Sequence, residues 1–146
     1  MLWDFYSGFL VRTKYVLLCI CIVVYILSRM VEVMTTDEFA AWYGELDEDD
    51  TKAVIRVVDL LAARGVSLPF PYSSDIKGSH YALRELRVQS GGKPLRILYA
   101  FDPQRQAVLL LGADKTGLSD KEFYATHVSR AETLWEKYLR ETQDKS

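Results

Sequence analysis

Between Leu83 and Lys115 apolar and polar positions fall into three short runs rich in Val, Leu, Ile, Tyr and Phe: Leu83 to Gln89, Leu95 to Phe101 and Ala107 to Ala113. Ser90-Gly91-Gly92-Lys93-Pro94 and Asp102-Pro103-Gln104-Arg105 separate them. Both are turn-forming compositions, so the stretch predicts a three-stranded antiparallel meander. Successive side chains of a strand point to opposite faces, which sets Leu86 and Val88 on one face and Glu85 and Arg87 on the other. One face then reads as apolar and the other as charged. In the second strand Leu95, Ile97, Tyr99 and Phe101 lie together, with Arg96 opposite them beside Leu98 and Ala100. An arginine there is expected to face solvent or a ligand. Lys115 follows the last strand and can lean back toward Arg87 and Arg96.

The flanks follow helical rules. Alternation from Val31 to Met34 predicts an edge strand, and Thr35 with Glu38 three residues on predicts a capped helix start. That helix carries Phe39, Trp42 and Tyr43 at helical spacing, a stripe that reads as core. Asp47 can cap a second helix whose first turn holds Glu48, Asp49 and Asp50. Val54, Val58 and Leu61, with Ile55 and Ala62, form its buried stripe, and Arg64-Gly65 ends it. Val66 to Ser79, with Pro69, Pro71, Ser73, Ser74 and Gly78, reads as a loop. Ser119 and Glu122 form a capping box for a last helix running to about Glu141, with Phe123, His127 or Val128, Ala131, Leu134, Trp135 and Tyr138 inward. The expected class is α+β, with an N-terminal strand and two helices packed on an antiparallel sheet beside a C-terminal helix.

The N-terminal region has a different pattern. Tyr15 to Leu27 is unbroken apolar sequence, bounded by Arg12 and Lys14 before it and Arg29 after. A bilayer span takes roughly 20 predominantly apolar residues, more than this run supplies, and no small-residue cleavage site follows it. Three readings stay open: a marginal membrane anchor through residues 15–27, a helix packed on the body, or a translation start at Met30. The expected organisation is an apolar extension over 1–29, a folded domain over 30–141 and a polar tail over 142–146.

Composition refines this picture in one respect. The 146 residues suffice for a single core, and the formal charge is -2. The sign is unevenly spread. Asp37 to Asp59 is strongly acidic, whereas Lys77 to Lys115 holds Lys77, Arg84, Arg87, Lys93, Arg96, Arg105 and Lys115 against Glu85, Asp102 and Asp114. A locally positive sheet on an acidic body can bind a polyanion at one site, although an ordinary solvated face has the same composition. Cys19 and Cys21 stand too close for an unstrained disulfide, and no zinc spacing is completed elsewhere. The chain reads as reduced, cytoplasmic and free of metal or other cofactor. Gly91-Gly92-Lys93 lacks the earlier glycine and following helix of a phosphate loop, and reads as a hairpin turn.

What remains is a set of cations. Arg87, Arg96 and Lys115, with Arg84 nearby, suit a phosphodiester, because guanidinium groups clamp phosphate oxygens and offset charge on a pentacovalent transition state. Glu85 could orient a cation or accept a proton from a ribose hydroxyl. The succession Leu83-Arg84-Glu85-Leu86-Arg87, Leu95-Arg96-Ile97-Leu98-Tyr99-Ala100-Phe101 and Leu109-Leu110-Leu111-Gly112-Ala113-Asp114-Lys115-Thr116-Gly117 resembles the toxins of the RelE/ParE superfamily, in its HigB-like branch. The likeness runs from Met30 to about Tyr138.

The resemblance implies a metal-independent endoribonuclease that enters the ribosome and cuts messenger RNA with the 2′-hydroxyl as nucleophile. It also implies a cognate HigA-like helix-turn-helix antitoxin. On the matching positions, Arg96 takes the place of the phosphate-stabilising arginine, and Arg87 and Lys115 those of basic residues in the neighbouring segments. Glu85 stands where some members have a lysine. Others use a His or Tyr near the C-terminus, for which His80, Tyr124 and His127 are the local candidates, with Tyr124 placed among the catalytic set. Arg84, Lys93, Lys77 and His127 are the candidate RNA contacts. Two other readings are a ParE-like gyrase inhibitor and a non-catalytic RNA- or protein-binding domain.

Overall fold

The computed structural model describes residues 16–25 and 30–146. The chain divides into two compact units, Met1–Met30 and Val31–Ser146, each taken by itself. Residues 16–25 of the first are helical. Among the described residues no helix is long and apolar enough to cross a membrane. The readings of the N-terminal run as anchor, packed helix or pre-start sequence turn on residues 1–15 and 26–29, which lie outside the described residues.

The second unit is α+β, as expected. Its elements are β1 (Val33–Thr35), α1 (Asp37–Gly44), α2 (Glu48–Arg64), a 3-10 turn (Gly65–Ser67), β2 (Ser73–Asp75), β3 (Arg84–Ser90), β4 (Lys93–Phe101), β5 (Ala107–Asp114) and α3 (Asp120–Gln143). The five strands lie in the order β1-β5-β4-β3-β2. The meander β3-β4-β5 is antiparallel, but β1 runs parallel to β5, so the sheet is mixed. β2 falls within the stretch expected to be loop. Its residues, Ser73, Ser74 and Asp75, lack strand propensity and are recruited by the ladder that β3 offers, with Ser74 opposite Glu85. The first helix is capped by Thr36 rather than Thr35, because Thr35 is still paired with Leu109. The Thr36 hydroxyl accepts from Phe39 N–H and donates to the Leu110 carbonyl at 2.6 Å, pinning α1 to β5. Glu38 reaches α3, 2.8 Å from Arg130. The caps at Asp47 and Ser119 are as expected.

Both faces of the sheet are apolar, which corrects the expectation of one apolar and one charged face. On one side Leu86, Val88, Leu95, Ile97, Tyr99 and Leu109 pack on Phe39 of α1 and on Val54, Val57 and Leu61 of α2. On the other, Leu98, Ala100, Val108, Leu110 and Leu111 pack on Phe123, Ala131 and Trp135 of α3. A register shift after Leu98 pairs it with Leu111 and pairs Tyr99 with Leu109, leaving Leu110 as the extra residue of a bulge. Gly112 allows α1 to sit close, since a β-carbon there would lie 2.2 Å from the Trp42 ring. Asp102 ties the β4–β5 turn to the far end of α3. Its Oδ1 accepts from Gln104 and Gln106 N–H groups, and its Oδ2 accepts from the Tyr138 hydroxyl at 2.9 Å. Anchored there, α3 roofs much of its face, and the charged residues occupy the end of that face near Arg96.

Candidate functional site

Strand register sets Arg87 directly opposite Arg96. Like charges in such a pair repel, and a carboxylate between them removes the penalty. Glu85, two residues before Arg87 on the same face, supplies it. Arg87 Nη1 lies 3.4 Å from Glu85 Oε1, and Arg96 Nε lies 3.9 Å from Oε2. The two arginines differ in access. The Arg87 side chain is 34% exposed, whereas those of Arg96 and Glu85 are 4% and 3% exposed. Arg96 therefore does not face solvent, one of the two surroundings its strand position left open, and it lies on the face of β4 against which α3 packs. Its Nη1 donates to the Leu95 carbonyl at 3.1 Å, while its buried Nε makes no hydrogen bond.

The start of α3 completes the cluster. The Ser119 capping box fixes the first turn, and a helical turn then separates Asp120 from Tyr124 on one side of the helix. The Tyr124 hydroxyl donates to Glu85 Oε2 at 2.6 Å, and Ser74 Oγ donates to Oε1 at 2.8 Å. Burial, together with the Glu85 carboxylate, pushes the Tyr124 phenol well above its ordinary range, so it is a neutral donor at physiological pH. Lys115 is ion-paired with Asp120. That hydrogen bond and the Lys115 charge hold the Asp120 carboxyl below its usual range, and Arg87 and Arg96 lower it further. Arg87, Arg96 and Lys115 therefore all lie within electrostatic reach of Asp120. A cavity of about 300 Å³ opens beside them, lined by Ser74, Lys77, Glu85, Arg87 and Tyr124 among others.

Residues 41–136 match the family described as phage-derived Gp49-like protein. The chain belongs to that family. It is also 31% identical over 110 residues to HigB2 of Mycobacterium tuberculosis, covering 74% of this chain and 54% of HigB2. With HigB3 of the same organism it shares 37% identity over 99 residues, 67% of this chain and 84% of HigB3. Both relatives bear names that mark them as candidate toxins, and the chain spans about half the length of HigB2. The HigB-like resemblance of the sequence is borne out.

Not every cation expected near the site of this Gp49-like chain is there. Arg84 and Lys93 project from the opposite face, the one covered by α1 and α2. Arg84 Nε lies 3.3 Å from both Ser73 Oγ and the Tyr99 hydroxyl, and its Nη1 is ion-paired with Asp75. Lys93 is ion-paired with Asp50 and lies 3.8 Å from Asp47, in the first turn of α2 and at its cap. Strand alternation is the reason, since Arg84 falls in phase with Leu86, and Lys93 with Leu95. Lys77 does line the cavity. His127 stacks on Phe123 at 4.3 Å and its Nδ1 lies 2.8 Å from the Phe123 carbonyl oxygen, so the ring is engaged within its own helix. His80 is exposed, and its backbone N–H donates to Glu132.

Sequence reasoning missed Ser74 and Asp120. Ser74 carried no signal, because the strand that aims it was unrecognised. Asp120 was legible, as an acidic residue just after a helix cap and five residues beyond Lys115. Among the described residues there is no cluster of three or more His, Cys, Asp or Glu arranged to hold a metal ion.

Proposed function

We propose that this Gp49-like chain is the toxin of a type II toxin–antitoxin pair and that it halts translation by cutting messenger RNA on the ribosome. The observation that carries the reading is the single carboxylate, Glu85, shared by Arg87, Arg96 and Tyr124 at the edge of a cavity. Arg87 and Lys77 are the cations exposed enough to hold the scissile phosphate. Arg96 from beneath and Lys115 from the side add positive potential where charge builds up during reaction. The 2′-oxygen attacks phosphorus as its proton passes to the Tyr124 oxygen and the phenol proton moves to Glu85. The bond from phosphorus to the 5′-oxygen breaks, and that oxygen takes a proton from solvent. The products are a 2′,3′-cyclic phosphate and a 5′-hydroxyl. Tyr124 starts protonated and relays the proton rather than acting alone as base, which fits its raised pKa. The expected neutralising partner is a HigA-like helix-turn-helix antitoxin.

One observation favours the non-catalytic reading: Arg87 and Arg96 share Glu85, and Lys115 has Asp120, so each already has an internal counter-ion. Inducible expression of the full chain, with mapping of messenger RNA 5′ ends, separates the readings. Growth arrest and new 5′ ends are expected. Arg87→Ala should lower cleavage by about 100- to 1000-fold, the usual effect of losing one charge-stabilising donor, while Arg84→Ala keeps it. Arrest without new ends would point to a gyrase-type target, and absence of arrest to a binding module.

A further inference from the structure

We infer that Phe70 is a stacking platform for an unpaired nucleobase next to the cleaved phosphate. The inference rests on the RNA-cleaving reading and assigns that reading's substrate as single-stranded RNA whose base is turned out onto the protein. Phe70 is 68% exposed, in the segment between the 3-10 turn and β2. Single exposed apolar residues are commonplace and by themselves mean nothing. Here three observations combine.

The segment is clamped at both ends. Leu68 and Ser73 are each 2% exposed, and the N–H groups of Tyr72 and Ser73 donate to the Pro69 carbonyl at 3.1 and 3.2 Å. Phe70 is thus held outward by a fixed backbone although the core that takes Leu68 lies next to it. Second, the Arg87 guanidinium sits 5.3 Å from the centre of the Phe70 ring, so the aromatic borders the accessible arginine of the cluster. Third, Arg87 N–H donates to the Tyr72 carbonyl at 2.8 Å, continuing the β2–β3 pairing by one residue and fixing the segment to the strand that carries Glu85 and Arg87.

Arg87 engages the ring, and the rest of its exposed surface is open. RNA is read mainly through unstacked bases laid on aromatic or guanidinium planes, and Phe70 with Arg87 offers both beside the cavity that Arg87 lines. Tyr72, 43% exposed, extends the same surface.

The test uses the full chain and ribosomes loaded with a messenger RNA carrying a 2′-deoxy residue at the mapped cleavage position, so that binding is read without turnover. Phe70→Ala should weaken binding by about 5- to 150-fold, and Phe70→Trp should restore it. Replacing the base beside the scissile phosphate with an abasic residue should erase the difference between wild type and Phe70→Ala, an effect that loss of folding would not produce. Equal binding by wild type and Phe70→Ala, or a difference that survives the abasic substitution, overturns the stacking role alone. A wild-type chain that does not bind the messenger-loaded ribosome overturns the RNA-cleaving reading with it.

Discussion

Arg84 and Arg87 stand three residues apart on one strand and have opposite surroundings. Arg84 projects toward α1 and α2, where Ser73, the Tyr99 hydroxyl and Asp75 satisfy it. Arg87 projects toward α3, shares Glu85 with Arg96 and keeps a third of its side chain exposed. One face uses its cations at the rim to fasten elements to one another. The other gathers them around a buried carboxylate and leaves one accessible. Net charge does not distinguish such faces; what does is whether a cation's hydrogen-bonding groups are already used up. The accessible cation and the cavity beside it therefore both belong to the α3 side.

The largest contrast is expected on removing a carboxylate from each side. Glu85→Ala leaves Arg96 buried without its counter-ion, and loss of one partner of a buried pair costs about 3–5 kcal/mol. Asp75→Ala leaves Arg84 with Ser73 and Tyr99, and the Asp75 side chain is 74% exposed, so a cost of about 0–1 kcal/mol is expected. Urea denaturation of the two variants measures the difference directly. Equal costs would mean that the Glu85 cluster is as solvated as the rim, and the buried-carboxylate description would fall.

A smaller effect probes how tightly the α1 side is closed. Gly112→Ala pushes a methyl group into the Trp42 ring, and overpacking of this kind costs about 1–3 kcal/mol. Gly44→Ala, at the end of the same helix, meets nothing within 4 Å and should change stability by less than about 1 kcal/mol. Thermal unfolding followed by tryptophan emission reads both. If Gly112→Ala melted like wild type, α1 would have to shift freely on β5, and the contact would not be what fixes the helix.

Much of this arrangement was legible in sequence. Period-2 alternation located β3, β4 and β5, and cap chemistry located the starts of α2 and α3. The same alternation, applied strictly, puts Arg84 with Leu86 and Lys93 with Leu95, so the separation of those cations from Arg87 was readable and was overridden by their nearness in sequence. β2 was not legible, because a strand of two serines and an aspartate exists only through pairing with β3. Nor was the burial of Arg96, which depends on where α3 lies, a long-range matter settled by the capped turn at Asp102 and the packing of Phe123 and Trp135. Phe70 had no periodicity to expose it.

The smallest expected effect compares the two lysine–aspartate pairs in acid. Lys93 holds the Asp50 carboxyl below the ordinary 3.8 through a hydrogen bond, with Ser90 assisting. Lys115 does the same to Asp120 on the other face. A carboxylate whose pKa is depressed on folding adds stability that is present above its unfolded pKa and is lost as pH falls through the folded value. Wild type should therefore be more stable than Asp50→Asn near neutrality, with the difference fading below about pH 4. Asp120→Asn should follow the same curve at lower amplitude, because its side chain is 74% exposed against 8% for Asp50, and added salt should flatten it further. Denaturation midpoints across pH at low and high salt test this. If acid closed the stability gap between wild type and Asp120→Asn by more than the gap between wild type and Asp50→Asn, the assignment would reverse, making the Lys115 pair a structural fastening and the Lys93 pair the dispensable one.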